Sequence, residues 1–288
     1  MCIYITHEWT KDNMTYQKQY QMQTHHMQQQ QLHHFVFVHG SCHGAWCWFK
    51  LAAKLKLDGH RVTAIDLGGS GVDTRQLHEV RLVSAYLEPL MSFMESLPEN
   101  EKVVLVGHSY GGIGTSLAME RFPTKVSVGI FLSAYMPHHD SPPAVLIQEY
   151  FTRLPEGFAM DCEFTFEEGL EHPPSSVLFG TSFLKEKAYS NCQLEDLELA
   201  MALMKPSWLY TKEMGGEDLI TKERYGSGKR VFIVCEGDNV VPEEIQKWMI
   251  SNYEPHEVKR IEEAGHMAML TKPHELSQLL QEIAAKYN

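Results

Sequence analysis

The sequence predicts an α/β protein: a mostly parallel sheet with helices on both faces and an inserted cap. Three observations lead there. Short strand-like runs recur at 35–38, 61–65, 102–106, 126–132, 230–235 and 257–261. Stretches with apolar residues at helical spacing separate most of them, the order expected when helices cover both faces of a parallel sheet. Between Ser133 and Gly228 the alternation stops, and Pro137, Pro142, Pro143, Pro155, Pro173, Pro174 and Pro206 punctuate short amphipathic pieces.

Taken in order, FVFV (35–38) is wholly apolar and ends at His39-Gly40, as suits a strand buried on both faces. GAWCWFKLAAKLKL (44–57) has helical spacing and stops at Asp58-Gly59. RVTAI (61–65) is a strand, closed by Asp66-Leu67-Gly68-Gly69-Ser70-Gly71, and a helical stretch runs on to about Ser96. KVVLV (102–106) leads through VGHSYGG into a helix reaching about Phe122, and VSVGIFL (126–132) is again a strand. After the proline-rich interval come RVFIVC (230–235), a helix PEEIQKWMI (242–250), the strand EVKRI (257–261) and a closing helix from Pro273 to about Tyr287. The expected organisation is therefore a core of 34–134 and 226–288, with 135–225 as a cap over the carboxyl edge of the sheet.

Residues 1–33 differ in texture, with alternating and then consecutive glutamines beside His25, His26, His33 and His34. Such a tract has too little apolar surface to offset its ordering entropy and is expected to be an untethered, disordered tail; metal binding by its histidines is the alternative.

Composition narrows the function. The chain has 288 residues and a formal net charge of −12, which gives nucleic-acid binding no electrostatic support. No apolar run approaches a membrane span, and MCIYITHEWTKDNM lacks the basic start and apolar stretch of a signal peptide. The six cysteines are scattered without a CxxC pair, as expected for reduced thiols. A cytoplasmic location follows as the expectation.

The chemistry concentrates at Gly107-His108-Ser109-Tyr110-Gly111, a G-x-S-x-G pattern between an apolar strand and a helix. In such a turn the serine takes a strained conformation, and its oxygen stands free at the strand's carboxyl end. A turn whose serine merely caps the helix is the plainer alternative. A neutral hydroxyl is a poor nucleophile, so Ser109 needs a base, and the base an orienting carboxylate, in the chain order Ser, Asp or Glu, His. RVFIVC runs into Glu236 and Asp238. Asp238 lies farther into the loop, where it can turn across the sheet edge, whereas Glu236 suits a solvated loop charge. EVKRI leads to His266, while His274 falls at the start of the last helix, where a solvated residue is expected. An anion hole needs two backbone N–H groups: that of Tyr110, after the nucleophile, and that of Ser41, in the HGSCHG loop where Gly40 permits close approach. Cys42 and His43 are adjacent soft ligands without partners at metal spacing.

FVFVHGSCHGAWCW, RVTAIDLGGSGVD, EKVVLVGHSYGG, ERYGSGKRVFIVC and AGHMAMLTKP resemble the plant methylesterase and hydroxynitrile lyase family of α/β-hydrolases, from about His34 to Asn288. Salicylic acid-binding methylesterases and polyneuridine aldehyde esterase belong to it. The resemblance implies the α/β-hydrolase fold and a catalytic triad on Ser109, Asp238 and His266. The family's lyases carry Thr or Asn at the position of Gly40, and one group carries Lys at that of Met267; its methylketone synthases lack the serine and the aspartate. The residues present here favour hydrolysis. Ser41 departs from the Ala or Gly common in the esterases. The expectation is a serine carboxylesterase acting on the methyl ester of a small plant hormone or specialised metabolite, with no cofactor or metal. Phe158, Phe164, Phe179 and Phe183 of the cap are expected to supply a mostly apolar pocket; serving as core of the cap is the alternative. Ester cleavage coupled to decarboxylation, as in alkaloid biosynthesis, a hydroxynitrile lyase and a hormone-binding sensor are the alternatives. The resemblance also suggests a homodimer; the acid carried by the ester stays open.

Overall fold

Six parallel strands form the central sheet: β1 (His34–Val38), β2 (Arg61–Ile65), β3 (Val103–His108), β4 (Val126–Leu132), β8 (Arg230–Cys235) and β9 (Glu257–Ile261). Their order across the sheet is β2-β1-β3-β4-β8-β9. The structure is a computed structural model that describes residues 31–216 and 219–287. The expectations for the glutamine-rich tract through residue 30 fall outside those residues.

The strand pattern follows from burial. All residues of β1, β3 and β8 are buried, and these are the runs with almost no polar side chains. β2 and β9 lie at the edges, and β9 alternates between partly buried and exposed positions, as a strand with one covered face should. β3 extends two residues beyond its apolar run, because Gly107 and His108 keep their pairing with Phe131 and Leu132. β1 also begins one residue before its apolar run. His33, assigned to the tail on composition, is 7% exposed, and its N–H donates to His60 Nδ1 at 3.2 Å.

The α-helices of four or more residues are α1 (Phe49–Leu57), α2 (Val83–Ser96), α3 (Gly111–Arg121), α4 (Pro143–Arg153), α5 (Leu194–Leu203), α6 (Glu243–Tyr253), α7 (Ala268–Thr271) and α8 (Pro273–Tyr287). From β1 the chain crosses to β2 on one side through α1; from β3 it crosses to β4 on the other through α3. Right-handed crossovers in opposite directions place their helices on opposite faces. Accordingly α1 packs against α8, and α2 against α3. The strand order reverses between β1 and β3, and the crevice beyond the carboxyl ends at such a reversal is where open α/β sheets bind ligands.

The stretch between β4 and β8 holds α4, α5 and a small antiparallel sheet of β5 (Glu163–Thr165), β6 (Ser176–Leu178) and β7 (Ser207–Trp208). It contributes no strand to the central sheet. No helix among the described residues is long and apolar enough to cross a membrane.

Candidate active site

Ser109 stands between β3 and α3 with φ +53°, a left-handed conformation that side chains other than glycine rarely adopt. Its neighbours explain the small residues around it. A Cβ on Gly111 would lie 2.5 Å from the His39 carbonyl oxygen and 2.6 Å from that of Val38. Both obstacles are backbone of the central strand β1 and its loop, so neither yields easily. Gly111→Ala is expected to destabilise the fold by about 1–3 kcal/mol, read as a lower urea midpoint; an unchanged midpoint would contradict this packing. A Cβ on Gly40 would meet the Ser109 Cβ at 2.9 Å, so the loop after β1 lies directly against the nucleophile candidate.

Asp238 and His266 come together at the ends of β8 and β9. His266 Nδ1 lies 2.8 Å from Asp238 Oδ2, and both residues are buried. The carboxylate is saturated with donors: Oδ2 also accepts from the Ser133 hydroxyl at 2.6 Å, and Oδ1 accepts the N–H groups of Val240 at 2.7 Å and Val241 at 2.8 Å. With Nδ1–H donating to the carboxylate, the neutral imidazole keeps the lone pair of Nε2 for a proton. Among the described residues no hydrogen bond joins the Ser109 hydroxyl to His266. Such contacts are often long before substrate arrives and tighten in the reacting complex.

The alternatives have other partners. Glu236 pairs with Arg260, which also binds Glu243 at 2.8 Å, and His274 is exposed on α8. Cys42 Sγ donates to the Val177 carbonyl at 3.3 Å, and burial pushes its thiol up to about 12, leaving it no tendency to ligate as thiolate. The backbone N–H groups of Ser41 and Tyr110 donate to no acceptor among the described residues. Both residues line one cavity with Ser109, about 470 Å³ in volume, which Phe158, Phe164, Phe179 and Phe183 from the stretch between β4 and β8 also line. These four rings also touch other rings of that stretch: Phe179 and Phe183 each other at 5.0 Å, Phe158 and Phe183 at 6.0 Å, and Phe164 and Phe151 at 6.3 Å between centroids.

Three further imidazoles are buried, and two of them, His39 and His43, use both ring nitrogens, whereas His108 Nδ1 has no partner among the described residues. His39 Nε2 accepts the Leu67 N–H at 3.1 Å while Nδ1–H donates to the Gly40 carbonyl at 2.8 Å. His43 Nδ1–H donates to the Ser41 carbonyl, so Nε2 accepts the Tyr189 hydroxyl, both at 2.8 Å. His108 Nε2–H donates to the His266 carbonyl at 2.9 Å. Burial lowers all three, His43 to about 4 and His108 well below its ordinary value. Sign follows from linkage: between about pH 6.5 and about pH 4 the unfolded chain binds more protons, so stability is present above that window and is lost as pH falls through it. The urea midpoint is expected to fall steadily on acidification across this range; a flat profile would show these rings to be charged when folded.

Ser133, Tyr135 and Tyr150 escaped sequence reading. Ser133 and Tyr135 follow an apolar strand as ordinary loop residues, and only the fold brings the Tyr135 N–H to the Ser109 carbonyl (2.9 Å). Tyr150 reaches from α4 and donates to the Val240 carbonyl at 2.8 Å, beside the Asp238 loop. A polar residue just past a buried strand, at the edge where chemistry was expected, was the available signal for Ser133.

Comparison with known proteins places this geometry in context. Residues 35–279 match the model of an alpha/beta hydrolase family. Methyl jasmonate esterase 1 of Vitis vinifera is 46% identical over 256 residues, which is 88% of this chain and 98% of that protein. Salicylic acid-binding protein 2 of Nicotiana tabacum is 46% identical over 255 residues, again 88% and 98%. The crystal structure of polyneuridine aldehyde esterase superposes with a TM-score of 0.84 at 42% identity, covering 88% of this chain and all of that one, 100%.

Proposed function

Since the chain belongs to the alpha/beta hydrolase family, we propose that it is a serine carboxylesterase that cleaves the methyl ester of a small, largely apolar acid. One observation carries this reading: the buried His266–Asp238 pair stands at the same sheet edge as an apolar cavity into which Ser109 and two residues with free backbone N–H groups open. The esterase names of the relatives support it.

The substrate carbonyl sits against Ser109, its oxygen toward the N–H groups of Ser41 and Tyr110. His266 Nε2 takes the hydroxyl proton as Oγ bonds to the carbonyl carbon, and the oxygen becomes an anion held by the two N–H donors. The imidazolium faces the Asp238 carboxylate, which stabilises it and fixes the ring. Collapse of the intermediate expels methoxide, which takes the proton from Nε2 and leaves as methanol. Water then gives a proton to His266, attacks the acyl-serine, and releases the acid and the serine hydroxyl by the same route. No step uses a metal or cofactor. The phenyl rings of the cap suit an aromatic or lipid-derived acyl group.

The test is a panel of methyl esters of aromatic and lipid-derived acids, with methanol and acid release measured, and labelling by a fluorophosphonate probe. Hydrolysis of at least one ester with a covalent adduct mapped to Ser109 is expected. Decarboxylation of β-keto acids without ester cleavage would move the chain to another chemistry. Tight binding of a free acid with no turnover and no adduct would make the cavity a sensor.

A further inference from the structure

The mechanism uses Asp238 but leaves unexplained why its carboxylate has a second side-chain donor. We propose that Ser133 is a positioning residue: its hydroxyl fixes Oδ2 of Asp238 toward His266, and its segment gauges the separation of acid and nucleophile. This rests on the esterase reading of the site.

Ser133 is 0% exposed, and its Oγ donates to Asp238 Oδ2 at 2.6 Å, the same oxygen that receives His266 Nδ1–H. Two side chains from different strand ends thus share one carboxylate oxygen, while Oδ1 is pinned by two backbone N–H groups. The carboxylate cannot rotate without breaking bonds at both oxygens. Ser133 adopts φ +41°, a left-handed backbone for a residue other than glycine, immediately after β4. That turn sends neighbouring N–H groups to both halves of the site: Ser133 N–H to the Ile233 carbonyl on the acid strand, at 2.9 Å, and Tyr135 N–H to the Ser109 carbonyl, also at 2.9 Å. A serine that only satisfied a buried charge would need no such bridge.

Positioning predicts an electrostatic signature. The Ser133 O–H takes up part of the negative charge at Oδ2. Removing it leaves that charge to His266, which favours the imidazolium, so the acid limb of the pH profile moves to higher pH. The other groups facing the pair are His108 at the end of β3, with ring centroids 4.4 Å from His266, His43 in the loop after β1, Tyr150 of α4 and Cys235 of β8. Burial keeps both histidines neutral and the tyrosine and cysteine protonated, so none supplies a compensating charge.

The experiment compares wild type with Ser133→Gly and Ser133→Ala. Both remove the hydroxyl, but glycine suits φ +41° and alanine does not, so a backbone effect would separate them. A fall in kcat/KM of about tenfold, carried by kcat, is expected in both. An upward shift of the acid limb by about half a pH unit should accompany it. Independently of activity, the downfield NMR resonance of the His266 Nδ1 proton, assigned by its absence in His266→Gln, should move in both variants. Lower activity with an unmoved limb and resonance would reduce Ser133 to a structural residue and overturn the proposal. Wild type that hydrolyses no ester would instead overturn the esterase reading, and the NMR shift would still decide the role of Ser133.

Discussion

Ser109→Ala is expected to lower kcat for methyl-ester hydrolysis by roughly 10⁴- to 10⁶-fold, leaving only what the N–H donors and binding contribute. The size follows from the mechanism: without Oγ there is no acyl-enzyme, and His266 has no nucleophile to deprotonate. The fold should be almost unaffected, because the Ser109 hydroxyl makes no hydrogen bond among the described residues and alanine meets the same φ of +53°. Binding of the product acid, measured by calorimetry, should survive. If the variant retains hydrolysis within tenfold of wild type, some other group attacks the ester and the assignment fails.

Asp238→Asn should cost about 10⁴-fold in kcat. The two side chains have nearly the same shape, so the loss is one of proton placement. The carboxylate accepts from four donors, two at each oxygen. An amide offers one acceptor oxygen and one NH₂. If the NH₂ faces Val240 and Val241, two backbone N–H groups lose their acceptor. If it faces Ser133 and His266, the imidazole must turn a lone pair to it and carry its proton on Nε2, where it cannot act as a base. Only the first orientation leaves buried donors opposed, so the second is expected, with a stability loss of no more than about 1 kcal/mol alongside. Kinetics and urea denaturation read the two effects separately. Near-normal kcat in a folded Asp238→Asn enzyme would show that His266 needs no carboxylate.

Much of this was legible in the chain. The runs FVFV, VSVGIFL and RVFIVC emerged as strands because a central parallel strand admits few polar side chains, and burial is what the pattern encodes. The Asp238–His266 pair and the strained turn at Ser109 could be expected because each residue follows a strand of one parallel sheet, whose carboxyl ends share an edge. His33 was harder: polar in composition, it belongs to the folded unit because its N–H donates to His60. The strands β5, β6 and β7, of two or three residues, fall below any period that side-chain alternation can establish. Ser133 was harder for a different reason. Its place just past a buried strand marks the edge, but its partner lies 105 positions away and nothing local names it.

The phenyl rings facing the cavity all belong to the length of chain inserted between β4 and β8, whereas Ser109, Asp238 and His266 ride on strand ends outside it. On the proposed esterase reading, choice of acyl group and bond cleavage are thus written in largely separate stretches, with Ser133 and Tyr135 at the seam belonging to the second. Exchanging the insertion beyond Tyr135 between related chains should transfer preference for an acid while Ser109, Asp238, His266 and Ser133 stay in place.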